Sequence, residues 1–341
     1  MTRIYGHEQP LRSFLAAMAG PRLHHAWLLT GPQGVGKATA AMAMATRMLA
    51  EAAGPSPEGD GLTVAPEHPM ARLIAAHTHP DLKRLERLPK DTKLLERGRG
   101  DWPDDAELAR SISVDQVRAL GASFANKPSM SDRRVVIIDS VDDLERGGAN
   151  ALLKNLEEPP AGTIFLLVSH APGKLLPTIR SRCRVLRFAP LDFAAMNSCI
   201  SAHLPTLDDN GRRALLAAGE GSPGRALHFA GLDIAGIDDV LERLVREGDP
   251  ANALRTALAS KLASKSAQPR YEAFLERVPA FIARQAHDQQ GNALGHILDA
   301  WEAARDLAQT AVTGSLDVTS VVYALCGQVA ALAPPRNNAK A

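Results

Sequence analysis

Nine consecutive residues, Gly31-Pro32-Gln33-Gly34-Val35-Gly36-Lys37-Ala38-Thr39, carry the strongest chemical signal in the chain. Their spacing is that of a phosphate-binding loop: two glycines separated by four residues, then a lysine. Glycines let successive backbone N–H groups curl around phosphate oxygens, and the lysine ammonium reaches the outer phosphates of a nucleotide. The helix expected to start at Lys37 aims its positive end at the same anion. Taken alone, the run is also what a strand-to-helix turn built from small residues would need. One component is missing. A Ser or Thr hydroxyl normally follows the lysine and ligates Mg²⁺, but Ala38 stands there. Thr39 is a poor substitute, because one step along a helix turns a side chain by about 100°.

The elements that must position this loop are legible on both sides. His25–Thr30 reads as a short buried strand, and Lys37–Glu51, dense in Ala, Met and Leu, as a helix. Further buried strands are expected at Val135–Asp139, Ile164–Ser169 and Arg184–Phe188. Helices are expected at Ser113–Ala125, with Ser113 as cap, and at Gly148–Glu158, stopped by Pro159 and Pro160. Alternating strands and helices predict a parallel sheet flanked by helices. The stretches 52–66 and 89–103 are Gly- and Pro-rich and predict loops. Beyond Pro190 the pattern is helical only. Phe193–His203, Asp209–Gly219 and Ser222–Ala230 read as short helices, and residues 237–332 as longer ones. The fold class expected is α/β, with a phosphate-loop domain at 1–190, a small helical domain at 191–235, a helical domain at 236–333 and a disordered tail at 334–341.

A second catalytic element would lie at the end of the 135–139 strand. Asp139 is placed as a metal-orienting acid, but Ser140 follows it where an ATPase carries a glutamate to polarise the attacking water. Asp142 and Asp143 are expected to face solvent or cap the next helix. Loss of a metal ligand at 38 and of a base at 140 together predict a site that does not hydrolyse ATP.

Bulk properties limit the alternatives. The chain has 341 residues, 45% hydrophobic and 23% charged, with a formal charge of +1. Such a length predicts more than one domain, and near-neutrality argues against a protein that holds DNA unaided. There is no apolar leader at the start and no apolar run long enough to span a membrane. Three cysteines without paired spacing predict no disulfide framework, and a cytoplasmic location is expected. Cys183 has no indicated base partner and is expected to be a small buried residue. The basic residues Lys83, Arg84, Arg87, Lys90, Lys93, Arg97 and Arg99 are expected on a solvated loop, with DNA contact as the lesser alternative.

Longer motifs are more specific. Asn150–Pro160 (NALLKNLEEPP) resembles the LLK-x-LEEPP signature of bacterial clamp-loader subunits of the AAA+ class, and Ser181-Arg182-Cys183 resembles their SRC motif. His24–Leu29, His79-Pro80-Asp81, Ile112–Arg118 and Gly221–Leu227 match that family in the same order, so the resemblance covers roughly residues 1–230. An unrelated P-loop kinase would leave these motifs unexplained.

The resemblance implies an AAA+ fold with a helical lid and a helical collar that holds an oligomer together. Partners are then the other loader subunits, of gamma/tau and delta type, with the sliding clamp contacted indirectly and primed DNA as part of the complex. It also implies that Arg182 acts as a finger on a neighbour's ATP; spacing alone leaves Arg180, Arg182 and Arg184 nearly tied. Ser169 takes the sensor-1 position, although a strand-end serine also serves simply as a cap. Arg225 takes the sensor-2 position, or else faces solvent from a helix start. Ala38 and Ser140 favour a non-hydrolysing loader subunit, with the ATP-hydrolysing motor type (gamma/tau) as the alternative. No cofactor is required, and ATP or ADP would bind weakly at most. Many members carry four cysteines before the His-Pro-Asp segment. None occurs between Ala52 and Thr78 here, so no zinc is expected, and His68, His77 and His79 are read as ordinary histidines.

Overall fold

A computed structural model describes residues 3–334 apart from Asp60, Asp104, Asp105, Asp288 and Ser315. The tail expected from Pro334 onward lies, after Pro334 itself, outside the described residues. The chain forms two compact units, Met1–Ser198 with Gly221–Gly224, and Cys199–Glu220 with Arg225–Ala341.

The first unit is built on five parallel strands: β1 (Ala26–Thr30), β2 (Leu82–Glu86), β3 (Arg134–Asp139), β4 (Thr163–Ser169) and β5 (Arg184–Arg187). Their order across the sheet is β2-β3-β4-β1-β5. Its helices are α1 (Glu8–Met18), α2 (Lys37–Ala52), α3 (Pro69–Ala75), α4 (Thr92–Arg97), α5 (Val114–Ser123), α6 (Arg146–Glu157) and α7 (Pro177–Ser181), with α8 (Phe193–His203) running across the boundary between the units. The three inner strands are buried on both faces, which is why they read as unbroken apolar runs. Successive side chains of a strand point to opposite faces. Trp27, Leu29, Val135, Ile137, Leu166 and Val168 therefore pack with Phe14, Met44 and Met48 of α1 and α2. Ala26, Leu28, Val136, Ile138, Phe165 and Leu167 pack with Val117, Leu152 and Leu156 of α5 and α6. Phe14 meets Trp27 edge-on, with ring centroids 5.1 Å apart.

Local signals behave as their chemistry dictates. Ser113 and Gln116 form a reciprocal capping box at the start of α5. Asp81, 1% exposed, accepts hydrogen bonds from the Ser129 and Met130 N–H groups at 2.7 and 2.8 Å, so the acid of the His-Pro-Asp segment pins the turn leading into β3. Bonds to a charged acceptor of this kind contribute about 1.5–3 kcal/mol each.

Two expectations change. The 89–103 stretch holds α4 and a short 3₁₀ turn, Arg99–Asp101, rather than loop alone. The basic run is a solvated loop only in part: Lys90, Lys93 and Arg97 are exposed, the last two on α4, but Lys83 and Arg84 lie on edge strand β2, and Arg84, Arg87, Lys90 and Arg99 each have an acidic partner, respectively Asp139 with Glu86, Asp143, Glu107 and Glu86.

The second unit is helical: α9 (Asp209–Gly219), α10 (Pro223–His228, of which Arg225 onward belongs here), α11 (Ile234–Glu247), α12 (Ala253–Leu262), α13 (Gln268–Gln285), α14 (Gly291–Gly314) and α15 (Val318–Ala330). Ile237, Leu241 and Leu244 of α11 are fully buried, as are Phe274 and Val278 of α13 and Val322 and Leu325 of α15. Within this core the Arg277 guanidinium is completely covered and grips Asp238 with two bonds, Nε to Oδ1 at 2.7 Å and a terminal nitrogen to Oδ2 at 2.6 Å. No described helix is long and apolar enough to cross a membrane.

Candidate functional site

The phosphate loop joins β1 to α2 at the C-terminal edge of the sheet, where parallel α/β sheets place their ligands. Gly31 has φ of 150°, and a Cβ there would stand 2.0 Å from the Phe188 carbonyl oxygen, so only glycine fits beside the end of β5. The loop is braced from outside. His7, just ahead of α1, donates from Nε2 to the Val35 carbonyl at 2.9 Å. Ser222 donates to the Gln33 carbonyl at 2.7 Å, and the Gly224 N–H to that of Gly34 at 2.8 Å. A Cβ on Gly224 would come within 2.8 Å of the Gly34 Cα, which accounts for the Gly-Ser-Pro-Gly segment. His7 carries no motif and was not identifiable from the sequence.

Lys37 is 2% exposed, and its Nζ donates to the Gly31 and Pro32 carbonyls at 2.6 and 2.5 Å. Burial lowers its pKa to about 8, against the opposing pull of the Asp142 and Asp139 carboxylates. Ala38 begins the second position of α2 and presents a methyl group; Ala38 and Thr39 share the wall of one cavity with Met42, Ile74 and Arg84.

The acids are arranged differently from the sequence expectation. Asp139, at the end of β3, is bonded to the Arg84 guanidinium at 3.0 Å. Ser140 donates its hydroxyl to Asp142 Oδ2 at 2.8 Å. Asp142 neither faces solvent nor caps a helix. Its carboxylate collects the Ser140 and Ser169 hydroxyls and the His170 N–H, tying the ends of β3 and β4 together. Burial opposes its ionisation, but the sum of those bonds holds its pKa below the ordinary carboxylate value. Ser169, fully buried, is one of its donors at 2.8 Å, so this strand-end serine has a structural partner already. His170 is pushed down by burial and then by the Lys37 charge. A methyl at 38, an Asp139 already paired with a cation and a Ser140 hydroxyl committed to Asp142 do not make the oxygen donor set that Mg²⁺ takes. Among the described residues no group of three or more His, Cys, Asp or Glu side chains is placed to hold a metal ion.

Arg182 caps the C-terminal end of α7. It is one-third exposed, with one terminal nitrogen 2.7 Å from Glu157 and the other donating to the Thr178 carbonyl at 3.0 Å. Glu157 belongs to the Leu-Glu-Glu-Pro-Pro run, so the two most specific motifs of the sequence meet at this ion pair. Arg180 reaches only the Pro172 carbonyl at 3.4 Å, and Arg184 lies over the Trp27 ring at 5.0 Å. Arg225, in the helical unit, pairs with Glu220 at 2.8 Å and lies 5.8 Å from the Phe229 ring centroid. Of the three histidines, His68 caps α3 through Met70 N–H and bonds Pro55, His79 accepts from the Asp81 N–H, and His77 adjoins the cavity beside α2. Burial raises the Cys183 thiol to about 12, which disarms it as a nucleophile.

A parallel sheet in the order β2-β3-β4-β1-β5, with a phosphate loop after β1 and an acid ending β3, defines a P-loop protein of the AAA+ class. The model of the family described as DNA polymerase III, delta subunit, matches residues 6–192. The DNA polymerase III subunit delta' of Pseudomonas aeruginosa is 36% identical over 235 residues, 68% of this chain and 63% of that protein. The Escherichia coli subunit delta' is 30% identical over 213 residues, 62% of this chain and 56% of that protein. The Bacillus subtilis subunit tau is 27% identical over 243 residues, 70% of this chain and 38% of that protein. The chain belongs to the delta-prime clamp-loader family of DNA polymerase III. Its matches span between 44% and 63% of the length of four delta-prime relatives.

Proposed function

We propose that the chain is a non-hydrolysing delta-prime subunit of the DNA polymerase III clamp loader, which helps place the sliding clamp on primed DNA. The observation that carries this reading is the state of the two hydrolytic positions. Position 38 offers a methyl in place of the metal-binding hydroxyl, and the side chain at 140 is a hydroxyl spent on Asp142 rather than a free carboxylate. Arg182 supplies the function in trans. Its exposed guanidinium would leave Glu157 for the phosphates of ATP held by a neighbouring subunit, where a planar two-pronged donor stabilises charge developing on the transferring group. The helical second unit would serve as lid and collar for assembly with gamma/tau and delta type subunits, in the cytoplasm. ATP or ADP would bind weakly in the degenerate loop formed by Gly31–Thr39, with Asp139, Ser169 and Arg225 in supporting positions, and neither a cofactor nor zinc would be required.

Co-purification with the other loader subunits, followed by DNA-stimulated ATPase measurement with and without this chain, tests the reading. The chain should enter the complex, and the complex lacking it should hydrolyse ATP slowly and load little clamp. A chain that stays outside the complex, or a complex indifferent to it, would refute the role.

A further inference from the structure

We propose that Arg84 is a built-in counter-ion that takes the place of the divalent cation in this phosphate site. The inference rests on the degenerate-site reading above and extends it to a residue that no motif marks. Three observations converge on it. The first is parity along the sheet. In the β2–β3 register Arg84 lies opposite Ile137 and Glu86 opposite Asp139. Ile137 packs on the α2 side, and alternation puts Asp139 on that side too; Leu82, two residues before Arg84, packs there as well. Arg84, Glu86 and Asp139 thus share the face covered by the helix that the phosphate loop begins.

The second observation is the pairing itself. The Arg84 guanidinium lies 3.0 Å from Asp139 Oδ2 and 3.1 Å from Glu86 Oε2, while Arg99 holds the other oxygen of Glu86 at 2.6 Å. Asp139 is the acid that a metal would engage in a complete site, and here a fixed cation engages it. The third is location: Arg84 and Ala38, the position that lost the metal-binding hydroxyl, both line the cavity beside α2. The Arg84 Nε is buried and makes no hydrogen bond within the protein, so the cation is held by its two carboxylate partners.

The two departures are therefore coupled. With a guanidinium on Asp139, a hydroxyl at 38 would have no metal to ligate. With an alanine at 38, the acid would lack a counter-charge unless a side chain supplied one. A polyphosphate anion in the loop would meet Lys37, the backbone N–H groups and the Arg84 charge, and would bind without a divalent metal.

Calorimetric titration of the full chain with ATP, in Mg²⁺ and again in EDTA, tests this on wild type, Ala38→Ser, Arg84→Gln and two double variants. Wild type and Ala38→Ser should show affinities that differ little between the two conditions, and Arg84→Gln should bind several-fold more weakly in EDTA. Ala38→Ser with Arg84→Gln should bind about tenfold or more tightly in Mg²⁺ than in EDTA, a size usual for coupling between two ligands. Ala38→Ser with Arg84→Lys, which keeps a cation, should stay uncoupled. Full Mg²⁺ dependence in Ala38→Ser alone, its absence in a folded Ala38→Ser/Arg84→Gln protein, or failure of wild type to bind ATP at millimolar concentration would each overturn the proposal. If the Gln double variant does not fold, the single variants and the Lys double variant still decide. ATP turnover by wild type would instead count against the degenerate-site reading, whatever the Mg²⁺ ratio.

Discussion

Arg182→Ala should leave the chain folded and able to join the loader, yet remove much of the clamp loading and part of the ATPase rate of the assembled complex. The first half follows from exposure. Arg182 is one-third and Glu157 one-half exposed, and an ion pair at such a surface contributes about 0–1 kcal/mol. The second half follows from the chemistry of a phosphoryl-transfer transition state, where an arginine supplied in trans is worth about 10³–10⁵ in rate at the site it serves. The loss for the whole complex should be partial, because a single interface is emptied. Arg182→Lys should rescue poorly, since an ammonium lacks the planar fork. Arg180→Ala is the control, because Arg180 makes only a long bond to a nearby carbonyl. Equal defects in the two alanine variants would point to a diffuse basic patch, and full activity in Arg182→Ala would leave the subunit as scaffold alone.

The largest effect on stability is expected at Asp238. Its removal would strand the Arg277 guanidinium in the core of the helical unit, where Arg277 is completely covered and a third guanidinium nitrogen has no hydrogen bond within the protein. Breaking a buried pair by deleting one partner costs about 3–5 kcal/mol. Asp238→Ala should therefore lower the urea midpoint, with hydrogen exchange accelerating across α11 and α13. Replacing both partners, Asp238→Leu with Arg277→Met, should recover much of the loss, because the cost comes from an uncompensated charge rather than from the missing bond. A change within about 0.5 kcal/mol for Asp238→Ala, the range of ordinary surface substitutions, would show that the charge is hydrated in solution.

The sequence made the inner strands legible because burial on both faces leaves no polar residue to blur them, as in Val135–Ile138 and Ile164–Val168. Edge strand β2 carries no such signal. It is half-buried along its length, and Lys83, Arg84 and Glu86 turn its pattern into what looks like a charged loop. Helix α1 is hard to read for a different reason: its N-cap is His7 in a left-handed conformation, with no serine, threonine or acid to announce it. The phosphate loop was visible because its chemistry is local, nine residues in a row. The environment of the acids was not, since Asp139 meets Arg84 from 55 residues away and Asp142 is held by groups from the next strand. Contacts of that range arise from the order of strands in the sheet, which no spacing rule reports. Ala38 and Ser140 are readable as departures from the motif, whereas the Arg84–Asp139 pair follows only from β2 lying beside β3.

Phosphate release from Mg²⁺-ATP by the purified chain, with primed DNA present, tests the absence of hydrolysis most directly. The expected rate is no greater than that of a Lys37→Ala protein prepared in parallel, since position 38 has no metal-binding hydroxyl and position 140 no carboxylate base. Steady turnover that disappears in Lys37→Ala would contradict it, because the chain's own phosphate site would then be a working ATPase.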